Sequence, residues 1–134
     1  MVEVVTPAMR VTRAVGWGRL VAGGVLVLRP RLLPAIAGFH PGSAHEQEWL
    51  VQMMAAREAG LGLGTLTALH TGDSPRPWLW AQAVSDAGDA VAFLSLAHRP
   101  VLRRRALGLA AFALAGVVSD LTAARLLRRP GRSQ

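Results

Sequence analysis

The sequence predicts an all-α protein, an integral membrane four-helix bundle with short loops, and three observations carry that expectation. Four apolar runs of 18–22 residues divide the chain, and an α-helix needs ~20 residues to cross the hydrocarbon core of a bilayer. Hydrophobic residues make up 51% of the chain and charged residues 17%, more apolar and less charged than an ordinary soluble domain. Helices apolar around most of their circumference, in a chain of 134 residues, have nowhere to bury that surface in water.

The first run is 11–28, interrupted only by Arg13 and Arg19. Its length, and the lack of a small-residue cleavage site before Arg29, read as an uncleaved helix rather than a signal peptide. The segment 29–48 follows as a loop with three prolines and two histidines, in which Leu32, Leu33, Ile36 and Phe39 suit a short interfacial segment. The second run is 49–69. A polar turn, 70–77, leads to the third run, 78–96. A proline and an arginine cluster occupy 98–105, and the fourth run is 106–127. Residues 128–134 form a basic tail, so the chain reads as one domain. Trp49, Trp78 and Trp80 open the second and third runs, where membrane proteins keep aromatic belts; Trp17 lies inside the first.

Charge excludes some classes. The net charge is +7, and all 15 basic residues are arginine, a habit of high-GC bacterial genomes. The arginines sit at the ends of the apolar runs, not on one basic, aromatic-interleaved face. They therefore suit anionic lipid headgroups and not nucleic acid. Arg103, Arg104 and Arg105 read as a lipid-facing anchor. With no cysteine there is neither a disulfide framework nor a thiolate site. Four crossings place both termini on one side, assigned here to the cytoplasm of a bacterium with a multi-pass inner-membrane protein. Seven arginines on that side face six on the other, so the positive-inside rule selects neither orientation. The same balance suits insertion both ways, as in antiparallel dimers. A homodimer or a membrane-protein partner stays open.

The central charges are the most informative feature. With each run centred on the bilayer, Arg19, the pair Arg57 and Glu58, and the pair Asp86 and Asp89 lie within a few residues of one depth. Asp120 lies ~5 Å from the centre of the fourth run. An unpaired charge there costs ~3 kcal/mol on insertion scales, so these groups must pair, meet water or be neutralised. In antiparallel neighbours Arg57 and Asp89 fall at the same height. Arg19 is nearest Asp86 and Glu58 in depth, and Asp120 lies between Arg19 and Arg13. Asp86 and Asp89 share a helix face, which Gln82 and Ser85 extend into a polar stripe. Arg57 and Glu58 diverge by ~100° on the helix wheel.

Rows of small residues four apart suit close helix packing in lipid: Ala14, Gly18 and Ala22; Ala56, Gly60, Gly64 and Ala68; Ala111, Ala115, Ser119 and Ala123. Gly60 and Gly64 are the best of these, and Met53 and Met54 read as core filler. The segments "RLVAGGVLVLRPRLL", "AAREAGLGLGTL" and "SDAGDAVAF", within roughly 13–125, resemble a family of small uncharacterised bacterial four-helix integral membrane proteins. The resemblance implies the fold, points to Arg19, Arg57, Glu58, Asp86 and Asp89 as motif positions, and brings no reaction or ligand.

Three functional classes remain. A buried charge network that sets helix register suits a structural or accessory membrane subunit. Intramembrane carboxylates also mark proton pathways, which suits a small proton-coupled transporter. Paired acids beside an arginine could act on a lipid, but nothing selects a reaction, so no catalytic residue is assigned and an enzyme is the weakest of the three. No cofactor is expected. His40 and His45, near Glu46 and Glu48, read as solvated loop residues and no metal site is assigned. "GLGLG" at 60–64 follows no strand and is not a dinucleotide fingerprint.

Overall fold

The computed structural model describes residues 7–37 and 41–127, with side chains undescribed at 37 and 41–47. The described chain is helical and holds no strand. Five helices follow one another: α1 Pro7–Leu28, α2 Leu32–Ala37, α3 Pro41–Thr71, α4 Arg76–Leu96 and α5 Arg103–Leu126. Four helices were expected; α2 is the addition. It holds Leu32, Leu33 and Ile36 of the anticipated interfacial segment, while Phe39 lies outside the described residues.

The main departure in length is α3, which begins at Pro41 and not near Trp49. Apolar-run counting misses this extension, because Ala44, Glu46, Gln47 and Glu48 are strong helix formers without being apolar. Pro41 suits the first helical position, where its missing N–H is no loss. Gly72, at φ 78°, ends α3 in the left-handed conformation that only glycine adopts freely. Asp73 then accepts a hydrogen bond from Thr71 Oγ1 at 2.6 Å, and Pro75 precedes α4 as its N-cap. Between α4 and α5 the backbone tightens through Ala97 N–H to Leu94 O and Leu102 N–H to Arg99 O, both at 3.0 Å.

Packing pairs α1 with α3 and α4 with α5; smaller contacts of α1 with α5 and of α3 with α4 join the pairs, and α2 rests on α3. Each long helix turns one row inward with alternating spacings of four and three. On α1 it is Thr12, Gly16, Arg19 and Gly23, and on α3 it is Val51, Ala55, Glu58, Gly62 and Thr65. On α4 it is Leu79, Ala83, Asp86 and Ala90, and on α5 it is Ala106, Ala110, Ala113, Val117, Asp120 and Ala124. This is a heptad pattern, which keeps one seam facing the neighbouring helix.

The expected small-residue rows follow the inward face only in part: Ala68 and Ala123 are buried and Ser119 half-buried, but most of the other members drift off it. Ala14, Gly18, Ala22, Ala56, Gly60, Ala111 and Ala115 are exposed, and a Cβ at Gly60 would meet nothing within 4 Å. A strict spacing of four drifts ~40° per step around a 3.6-residue helix, so such a row leaves the contact face. Gly64 does pack, with the Trp78 ring lying where its Cβ would be. The close backbone contacts lie elsewhere. A Cβ at Gly62 would come within 2.6 Å of the Gly16 carbonyl oxygen, and one at Gly23 within 2.6 Å of the Ala55 carbonyl oxygen. Met53 is exposed and not core filler; Met54 is half-buried.

Candidate functional site

The four charged members of the inward rows meet at one level. Arg19 of α1 donates through Nη1 to Glu58 of α3 and to Asp86 Oδ1 of α4, the latter at 3.1 Å. Its Nη2 donates to Asp86 Oδ2 and, at 2.8 Å, to Asp120 Oδ2 of α5. One guanidinium thus binds carboxylates from the three other long helices. Its planar fork of donors makes arginine fit for such a junction, where a lysine ammonium would not bridge in this geometry.

A second cation extends the network. Arg57 Nη2 donates to Asp89 Oδ2 at 2.6 Å and to Glu58 Oε1 at 3.3 Å. Glu58 therefore stands between the two arginines. The backbone directions of Arg57 and Glu58 diverge, yet the flexible side chains bring their ends together. Arg13 is exposed, and Asp120 turns to Arg19 instead. Burial is graded along the network. Asp120 keeps 1% of its side-chain exposure and Asp86 10%, against 37% for Arg57.

The polar stripe on α4 divides. Gln82 is fully buried and donates to Thr65 Oγ1 at 2.7 Å and to the Leu61 carbonyl at 3.2 Å. Thr65 in turn donates to Leu61 O at 2.9 Å, a bond that a mid-helix threonine commonly makes. Ser85 Oγ is buried without a hydrogen-bond partner among the described residues, and so is Asp120 Oδ1. Thr65 and Thr12 were not singled out from the sequence. Both sit on the inward row, so a search at four-and-three spacing for polar residues would find them.

Glu58, Asp86 and Asp89 each offer a carboxylate oxygen within 4.8 Å of the others, a spacing that a cation could bridge. Arg19 and Arg57 already bond to all three. His40 lies outside the described residues, as do the side chains of His45 and Glu46. Arg103, Arg104 and Arg105 are exposed at the start of α5. No protein-family model, no curated protein and no solved structure matches the chain.

Proposed function

We propose that the chain is a multi-pass integral membrane protein of the bacterial plasma membrane, a four-helix bundle held in register by the Arg19 network and serving as a structural or accessory subunit. The observation that carries this reading is the inverted placement of side chains. Trp17, Val21, Val84, Val91, Phe112 and Val118 are exposed, while the largest fully buried side chains are Leu79, Gln82, Thr12, Thr65 and Asp120. A water-soluble core holds large apolar groups and rarely an aspartate. Large groups outward and small or hydrogen-bonded groups inward suit lipid, where close backbone packing and interhelical polar contacts hold helices together.

Further support comes from α1 and α5, both long and apolar enough to cross a membrane. The polar residues of α3 and α4 lower their mean hydropathy, and their central charges point into the network and not outward. Membership in the family of small bacterial membrane proteins that the motifs resemble belongs to the same proposal. So do contact with anionic lipids and the cytoplasmic placement of both termini.

Two experiments test the reading. Membranes bearing the chain are washed with alkaline carbonate; retention is expected, and release overturns the membrane reading. The chain is then extracted in mild detergent and sized on a native gel. Migration in a larger complex is expected, and migration as a lone chain overturns the subunit reading. A small proton-coupled transporter is the second reading, favoured by the excess of carboxyls over guanidiniums in the network.

A further inference from the structure

The network does not balance. Glu58 and Arg57 from α3, Asp86 and Asp89 from α4, Asp120 from α5 and Arg19 from α1 are its charged members. Four carboxyls meet two guanidiniums, so the ionised form carries two surplus negative charges between closely packed helices.

A second observation concerns Asp120. The residue is 1% exposed. Its Oδ2 accepts from an Arg19 nitrogen that Asp86 shares, while its Oδ1 is buried with no partner among the described residues. A dry carboxylate oxygen without a donor is costly, and a neutral carboxyl reduces that cost. The third observation is the crowding of Glu58, Asp86 and Asp89 oxygens within 4.8 Å of one another. Their charge, gathered around the guanidinium that Asp120 also shares, favours the neutral form of Asp120.

We propose that this network holds an exchangeable proton on Asp120. The proposal rests on the membrane reading. The proton comes from the aqueous phase and converts the Asp120 carboxylate to a carboxylic acid, which halves the surplus negative charge of the network. A metal ion among the same oxygens would stand against two guanidiniums, whereas a proton needs no coordination shell. Loss of the proton leaves an unpartnered charge in a low-dielectric layer, so release is coupled to loosening of the helices or to entry of a cation. That coupling is what a proton-driven transport step requires.

The test is infrared difference spectroscopy of the purified full-length chain in lipid nanodiscs, between neutral and alkaline pH. The wild type is expected to show a protonated-carboxyl carbonyl band at neutral pH that disappears on alkalinisation. Asp120→Asn is expected to lose that band; if this variant does not fold, Asp120→Glu serves instead, with a band shifted to a different frequency. Absence of the band in the wild type at neutral pH overturns the proposal. So does its removal by magnesium or calcium at neutral pH, which would make the cluster a metal site. A chain that survives the carbonate wash yet lacks the band refutes the proton and leaves the membrane reading standing.

Discussion

Gly116 on α5 faces the Asp86 carboxylate on α4 with no side chain between them, because a Cβ there would fall on the oxygen that Arg19 holds. The same Cβ would lie 3.7 Å from Arg19 Nη2. The network thus depends on a missing side chain as much as on its charges. The α5 backbone comes close enough for Asp120, one turn further on, to reach the guanidinium.

Gly116→Ala is accordingly expected to destabilise the fold by ~1–3 kcal/mol, the usual cost of overpacking a tight interior. Gly108 lies on the same helix with nothing within 4 Å of its Cβ position. Gly108→Ala should leave stability unchanged or raise it by up to ~1 kcal/mol through helix propensity. Thermal unfolding of both variants in detergent checks the contrast; equal melting temperatures would refute the close approach.

The α1–α3 seam allows a similar comparison. A Cβ at Gly62 would strike the Gly16 carbonyl oxygen and the Leu20 nitrogen, both at 2.6 Å, and backbone atoms cannot turn aside as a side chain can. Gly62→Ala should lower the melting temperature, while Gly60→Ala, in open space, should not. The reverse order would restore the four-spaced row as the packing face.

Removing Arg19 should be the most damaging single change in the network. Arg19→Gln leaves Glu58, Asp86 and Asp120 without their shared cation, and breaking a buried ion pair costs ~3–5 kcal/mol. Arg57 is more exposed, and Arg57→Gln should cost less. The swap Arg57→Asp with Asp89→Arg should recover only part of the Asp89→Arg loss, since the new aspartate stands beside Glu58. Full recovery would mean that Glu58 does not couple to position 57.

Trp17 reports depth. It is 54% exposed and lies at the middle of α1, two residues from Arg19. In a variant keeping only this tryptophan, lipids brominated near the chain ends should quench its fluorescence more than lipids brominated near the headgroup. Trp80, in the first turns of α4, should show the opposite preference as the sole tryptophan. Quenching of Trp17 by a water-soluble agent alone would place α1 outside the hydrocarbon.

Several of these relationships are legible in the residue order. Four long apolar runs correspond to α1, α3, α4 and α5, and α1 and α4 end where the runs end, at Leu28 and Leu96. The shared depth of Arg19, Glu58 and Asp86, and of Arg57 and Asp89, anticipates contacts that the structure contains. Depth is readable because helical rise is constant, so counting residues measures height. The start of α3 is not readable in this way, because polar helix formers carry no hydropathy signal.

The sequence by itself determined the all-helical class, the long elements and the level at which the charges lie, since these follow from local composition and from spacing along one axis. Only the tertiary structure decided rotation: which row of each helix faces inward, that Gly62 and Gly116 and not Gly60 make the close approaches, and that Asp120 chooses Arg19 over Arg13. Rotation about a helix axis is set by how neighbouring surfaces fit. Glycine- and alanine-rich helices offer several faces of nearly equal smoothness, and the contacts among the charged residues distinguish one face from the rest.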